Sequence, residues 1–287
     1  MMKFDHEGLT EVQQDFYQWI IDREDARIGK ELGLKKPWTL SPIIQQYKFC
    51  NVRREDDRVT KWIKDNWRDP YEGHPNMWFA MCVARLFNWP DTLNEITFPY
   101  TLDGFKEWSE KARVNLKAIR DNGGKVFTGA YLVSTNGVSM DKIDYIFDVV
   151  LKPLWEQGSA PVKGETLATY HKFLTQFNGL GSFMAGQVVA DLKYTPVLAD
   201  ATDWWDFAPL GPGSIRGLNR YFGRKTTAPL KQAQGLKEMK QVQQEIENRL
   251  GMKLDIHDVQ NCMCETDKNQ RVKLNEGRPR SLYNGRS

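Results

Sequence analysis

Histidine and cysteine are scarce in this chain, with four of each in 287 residues. Cys50, Cys82, Cys262 and Cys264 follow no disulfide framework, and a Cys-x-Cys pair with no other Cys or His nearby is a poor zinc site. His6, His74, His171 and His257 are too scattered for a structural transition-metal centre, so the sequence predicts no metal site. No apolar run approaches the roughly 18 residues a membrane helix needs. The opening residues turn polar at once, which predicts no secretory leader, no membrane association and a cytoplasmic protein. A Gly-x-x-x-x-Gly-Lys-Ser/Thr phosphate loop is absent, so a P-loop kinase mechanism is not open to this chain alone. Net charge is only +3 and does not by itself argue for nucleic acid.

Aromatic residues, by contrast, are plentiful. They make up 12% of the chain and include ten tryptophans. Flat rings fill cores, and they also grip unstacked bases. Charge is unevenly spread: Lys268, Arg271, Lys273, Arg278, Arg280 and Arg286 face only Glu276 across the last twenty positions. This basic strip is either a solvated tail or a phosphate contact.

Periodicity predicts a mostly α protein. Thr10 and Gln13 have capping-box spacing ahead of a helix to about Leu32. Ser41-Pro42 starts another, covering Ile43 to Phe49. Arg53 to Trp67 is helical behind a polar entry, and Met77 to Trp89 is apolar nearly all round. Phe105, Trp108, Ala112, Leu116 and Ile119 form a stripe closed by Gly123-Gly124. Lys125 to Thr135 predicts a short strand before an Asn136-Gly137 turn. Ser139 is expected to cap the next helix, which Pro153 kinks or stops. The best internal boundary is Ser159 to Gly164. It divides a single domain, 1–287, into a front part (about 1–160), a hairpin part (about 161–250) and a basic C-terminal segment (251–287).

The most informative stretch joins an apolar helix (Leu167, Tyr170, Leu174, Phe177) to a second helix through Gly179-Leu180-Gly181-Ser182. Glycines there allow a tight turn, and backbone N–H groups at the second helix start can approach a phosphate. A plain structural turn is the competing reading. Downstream, Asp203-Trp204-Trp205-Asp206-Phe207 precedes a Gly-Pro-Gly loop. In that loop Gly213, Ser214, Arg216, Asn219 and Arg220 offer donors suited to phosphate; a capped helix start with solvated arginines is equally compatible. Gln260 and Asn261 carry amides able to read base edges.

The hairpin pattern resembles the helix-hairpin-helix DNA-glycosylase superfamily. In that superfamily a catalytic Asp follows the hairpin by about twenty residues, roughly where Asp200, Asp203 and Asp206 stand. Phe183 occupies the place of the Schiff-base lysine, which excludes lyase chemistry, and the four-cysteine iron–sulfur loop is missing. Arg53-Arg54-Glu55-Asp56-Asp57-Arg58, Trp78-Phe79-Ala80-Met81, Arg85-Leu86-Phe87-Asn88-Trp89-Pro90, Phe127 to Tyr131, the hairpin through Thr195, the Gly-Pro-Gly loop and Asp258 to Tyr283 resemble a narrower group. These are the phage and prophage thymine-hypermodification proteins: the α-glutamyl/putrescinyl-thymine pyrophosphorylases and the helical domain associated with 5-hydroxymethyluracil DNA kinases. Thr266 and Asn269-Gln270 depart from the aromatic or charged residues more usual there.

The resemblance implies a glycosylase-like helical fold that flips a base and modifies it. An amine or amino acid would displace phosphate or pyrophosphate from phosphorylated 5-hydroxymethyluracil in DNA, making the chain a transferase working in the host cytoplasm. No cofactor is required by the sequence. The resemblance implies an amino acid or polyamine co-substrate, DNA and a separate 5-hydroxymethyluracil DNA kinase as partners, and leaves open a monovalent cation at the hairpin. The expected catalytic residues are Asp203 (first choice as base), Asp191 and Lys193, with Trp204, Trp205, Phe207, Gln260 and Asn261 as the base pocket. Gly179, Gly181, Ser182, Gly213, Ser214, Arg216, Asn219, Arg220, Lys268, Arg278 and Arg280 are the expected DNA contacts. Asp191, at a helix end, has a purely structural alternative in pairing with a cation. A monofunctional glycosylase and a non-catalytic DNA-binding component of a kinase system are the competing functions. Trp19, Trp62, Trp78 and Trp108 are most simply core.

Overall fold

The computed structural model describes residues 4–99, 104–128, 133–277 and 282. Its α-helices are α1 (Glu11–Glu31), α2 (Pro42–Gln46), α3 (Arg58–Ile63), α4 (Met77–Phe87), α5 (Pro90–Ile96), α6 (Phe105–Asp121), α7 (Lys142–Tyr145), α8 (Lys152–Gln157), α9 (Leu167–Leu174), α10 (Ser182–Leu192), α11 (Pro212–Tyr221), α12 (Gln232–Leu250) and α13 (Ile256–Lys273). The mostly α expectation holds: no strand occurs among the described residues, which carry only an isolated Tyr47–Leu282 bridge. No helix among them is long and apolar enough to cross a membrane. The chain forms two compact units, 1–58 with 205–287, and 59–204. These divisions differ from the boundaries read near 160 and 250. The reason is that α1 has its apolar partners at the far end of the chain, as residues 4–52 and 208–263 share one core.

In the first unit α1 begins as its sequence predicts: the Thr10 hydroxyl accepts from Gln13 N–H and the Gln13 side chain accepts from Thr10 N–H. The Ser41 hydroxyl likewise caps α2, which ends at Gln46, short of Phe49. Phe16, Tyr17, Trp19 and Ile20 of α1 are buried with Leu218 and Tyr221 of α11, Met239, Val242 and Ile246 of α12, and Val259, Cys262 and Met263 of α13. The Tyr17 and Tyr221 hydroxyls lie 2.6 Å apart and within 3.0 and 2.5 Å of Glu245 Oε2, sharing their two protons among these three oxygens, so α1, α11 and α12 meet at one carboxylate. Helices α11 and α13 pack closely because α11 carries glycine where they meet. A Cβ on Gly213 would overlap Cys264 Sγ, and one on Gly217 would overlap Met263 O.

In the second unit every residue of α4 is buried, which explains its apolar character on all sides. Trp78 is buried there, as Trp19 is in the first unit, while Trp62 and Trp108 are half-buried. The strand expected at Lys125 to Thr135 is not found in its described part, and residues 129–132 lie outside the described residues. Its bonding groups turn to helices instead: Val126 O accepts from the Thr92 hydroxyl at 2.7 Å, and Phe127 stacks on Phe87 with ring centroids 5.5 Å apart. The Asn136-Gly137 turn is present, with φ of 51° and 80°. The N-cap of α7 is Asp141, not Ser139, because its carboxylate reaches the N–H groups of Ile143 and Asp144. Pro153 does not stop the helix. A π-helical turn at Ile146–Leu151 precedes it and absorbs the missing N–H donor, and α8 continues to Gln157.

The α11–α13 contact yields a direct prediction. Gly217→Ala forces the helices apart and costs about 3 kcal/mol, to be read as a lower midpoint in urea unfolding at unchanged slope. Gly223→Ala, with no atom within 4 Å of the added Cβ, strains only its own left-handed backbone and costs about 1 kcal/mol.

Candidate functional site

In the second unit, α9 and α10 are joined by a turn at residues 175–181. Gly179 has φ of +78°, and a Cβ there would meet Val150 Cγ1 at 2.8 Å, so both conformation and packing require glycine. Helix α10 starts at Gly181 with no side-chain cap; Gly181, Ser182 and Phe183 are exposed, and a Cβ on Gly181 would meet nothing. The start of α9 is the opposite case. Its first two N–H groups, on Leu167 and Ala168, donate to Asp203 Oδ1 and Oδ2 at 2.7 and 2.9 Å, and the third, on Thr169, donates to the Thr166 hydroxyl. Asp203, the first-choice base, is therefore a helix cap.

Asp191 has an equally definite place. It is 1% exposed and receives Arg85 Nε and Nη2, both at 2.5 Å, in a two-pronged ion pair. Arg85, also 1% exposed, further donates to Asn88 Oδ1 and the Thr60 hydroxyl, and Arg68 donates to Asp191 O. The structural alternative for Asp191 thus describes its surroundings, with Arg85 as the cation. Lys193 is buried with its ammonium 4.2 Å from the Trp204 ring centroid and 5.1 Å from that of Tyr194, while Trp204 Nε1 donates to Lys193 O.

In the first unit the Gly-Pro-Gly loop is the start of α11. Ser214 is fully buried, its hydroxyl exchanging bonds with Gly211 N–H and C=O. Arg216 and Arg220 both reach the buried Asp267, at 2.8 and 3.0 Å, and Arg220 also pairs with Glu276. Asn219 is buried, donating to Thr226 O and Ala228 O. Lys268 pairs with Glu265 at 2.6 Å, Arg271 with Asp267 and Lys273 with Glu11 and Asp15, so the described cations of the basic strip belong to α13 and face acids. Arg278 and Arg280 lie outside the described residues. Trp205 is 44% exposed with Lys253 over its ring, Phe207 is buried edge-on to His257, and Asp206 pairs with Lys240. Gln260 reaches the Ser214 hydroxyl at 3.5 Å, and Asn261 donates to Asn51 O at 2.8 Å.

The last contact leads to a constellation that sequence reasoning did not assemble. Residues 50–57 dock on α13: Cys50 N–H donates to Glu265 Oε2, Arg54 N–H to Asp258 Oδ1 and Cys262 Sγ to Val52 O. Around them stand Arg23, which donates to Cys50 O, the Glu24–Arg27 pair, Arg53 and Asp56. Asn51 N–H donates to Asp57 Oδ1 at 2.8 Å, and Asn51 Nδ2 donates to Asp56 O at 2.7 Å. Burial pushes the Asp57 carboxyl up to about 6. Burial and Glu265 push the Cys50 thiol well above its ordinary range, which disfavours the thiolate. The sequence carried a signal for this cluster: the polar run Arg53 to Arg58 and the amide- and acid-rich α13.

A family model described as "5-hmdU DNA kinase, helical domain" matches residues 10–278. The chain belongs to that family. A 5-hmdU DNA kinase of Bacillus phage SP10 is 32% identical over 239 residues, 75% of this chain and 35% of that protein. The match thus spans about a third of the kinase's length. No solved structure matches. The family's helical domain is consequently seen here as two helical units.

Two outcomes follow. Arg85→Met leaves Asp191 charged and buried and costs about 4 kcal/mol, whereas Arg85→Met with Asp191→Leu recovers most of it; urea unfolding of both variants checks this. Asp57 has its carboxyl raised on folding, so its burial costs nothing below the unfolded value near 4 and is fully felt above pH 6. Asp57→Asn should therefore raise the melting temperature at pH 8, by the equivalent of about 3 kcal/mol, and leave it nearly unchanged at pH 4.

Proposed function

We propose that this chain is the DNA-engaging helical component of a system that modifies 5-hydroxymethyluracil in DNA. The observation that carries the reading is the family match over residues 10–278, and the relative named 5-hmdU DNA kinase supports it. The turn between α9 and α10 is the proposed DNA contact, in the manner of a helix-hairpin-helix. Its second helix begins uncapped and exposed, so its first-turn amides face a phosphate where Gly181 lets the backbone approach closely. Lys172, exposed on α9, adds positive charge beside it. Arg216, Arg220 and Lys268 contribute little to DNA affinity, since Asp267 and Glu265 already neutralise them.

Chemically, the proposed step is transfer of an amine onto the phosphorylated base. The amine nitrogen bonds to the exocyclic methylene carbon, the carbon–oxygen bond breaks with its electron pair leaving on phosphate or pyrophosphate, and a carboxylate takes the proton. A kinase partner would supply the phosphorylated base, because this chain has no phosphate loop of its own. A glycosylase-like ancestry of the fold and flipping of the target base belong to the same proposal.

The test incubates the protein with DNA bearing phosphorylated 5-hydroxymethyluracil and a panel of primary amines, then digests to nucleosides for mass measurement. A heavier nucleoside supports transfer. Unchanged nucleosides together with retained DNA binding leave a non-catalytic binding component, and free base indicates a glycosylase. On the binding side, Gly181→Val with Lys172→Ala is expected to weaken duplex affinity at least tenfold and flatten its salt dependence, while Arg216→Ala changes affinity less than twofold.

A further inference from the structure

The surplus of positive charge in this chain is local. Residues 23–58 carry nine lysines and arginines against six acids, a surplus of three that equals the whole chain's, so the remainder is balanced. Burial sorts the two signs. Lys30, Lys35, Lys36, Lys48 and Arg58 are exposed, whereas Glu31 is the one exposed acid of the six, and Arg27 holds it. Glu24 and Asp56 also turn to Arg27, and Asp57 faces Arg23 and Arg54. Folding then brings the cations together. Arg23, Arg27 and Lys30 lie at i, i+4 and i+7 on one face of α1. The loop behind α1 folds back on it: Trp38 packs against Gly29, where a Cβ would meet Trp38 Cδ1 at 2.9 Å, and Lys36 Nζ stands 5.0 Å from the Trp38 ring centroid. Lys48 arrives on the segment whose Cys50 O accepts from Arg23 Nε at 3.0 Å. The Lys30 ammonium registers the crowding, being pushed below its ordinary value first by loss of hydration and then by the charges of Arg23, Arg58, Lys36 and Lys48. From this arrangement we infer that Lys30, Lys36, Lys48 and Arg58 form a second phosphate-backbone contact for DNA, carried by the first unit.

Gathered like charges weaken a fold unless an opposite charge neutralises them, and a chain of evenly spaced phosphates does so while releasing its own counterions. Lysine is a point charge on a flexible stem, suited to holding phosphates without reading bases. The ring in the midst of these cations does not add base contacts: Trp38 is half-buried against Gly29, and its Nε1 donates to Leu34 O at 2.6 Å. The contact is therefore indifferent to base sequence. An anionic membrane is the rival ligand, since Leu32, Leu34 and Leu40 are exposed on the same loop. DNA is favoured because the family match that supports the DNA-engaging reading covers residues 10–278, all of these cations included. The inference rests on that reading and adds to the hairpin a contact in the other unit.

The test measures binding of the full-length protein to short duplexes of unrelated sequence between about 50 and 200 mM salt. Lys30→Gln, Lys36→Gln and Lys48→Gln combined should lower affinity at least tenfold and reduce the slope of log affinity against log salt by about 2 to 3, whatever the base sequence. Lys225→Gln, Lys231→Gln and Lys237→Gln combined remove the same charge from other exposed positions of the first unit and should change affinity by at most about threefold. Equal losses in the two triple variants overturn the inference, because overall charge then suffices. Unchanged affinity in the first triple variant, while Gly181→Val with Lys172→Ala weakens binding, also overturns it and leaves the DNA-engaging reading standing. No duplex binding by the wild type removes both. Vesicles of phosphatidylserine and phosphatidylcholine in equal parts test the rival: if the first triple variant loses vesicle binding and keeps DNA binding, the surface serves a membrane and the inference fails. Should that variant fail to fold, Lys30→Gln with Lys48→Gln takes its place, with an expected slope change of about 2.

Discussion

A guanidinium in a helical interior must be neutralised where it stands, and Arg85 meets that requirement with both oxygens of Asp191. Helix α4 has no solvent face, so its single cation fixes what may lie opposite. A carboxylate brought by α10 satisfies it, and the pair ties the helix after the hairpin to the most buried helix of its unit. Thr60 and Asn88 complete the shell, leaving little freedom for α10 to rotate. Its uncapped amino end is thus presented from a rigid support. The same rule governs the first unit, where Asp267 holds Arg216 and Arg220.

Much of this was legible in the sequence. The capping box at Thr10, the buried helix at Met77, the stripe from Phe105 and the glycine turn at Gly179 rest on local rules that tertiary context did not override. The strand at Lys125 failed because β-branched and aromatic residues also suit an extended segment lying on helices, as Phe127 lies on Phe87. Asp141 displaced Ser139 as cap because a carboxylate two residues nearer the helix reaches two N–H groups at once.

The candidate site was less legible, for a physical reason. Whether a charged residue is available to a ligand depends on what stands opposite, and the opposing residues are distant in sequence. Arg216 and Arg220 read as phosphate donors until Asp267 is seen beneath them. Asp203 reads as a base until the start of α9 is found against it. Conversely, Lys30, Lys36 and Lys48 carry no joint signal in a one-dimensional reading, since they come together only when the loop behind α1 folds back on Gly29 and Cys50 docks on Arg23.

The division of the chain has a consequence for its synthesis. Residues 59–204 are continuous, so that unit is complete once they have left the ribosome. The other unit draws on both ends of the chain. Helix α1 emerges with Phe16, Trp19 and Ile20 on a face whose partners, α11 to α13, are translated only after residues 59–204. During that interval the nascent chain carries an apolar helix awaiting its core, and chaperone demand should concentrate on this segment.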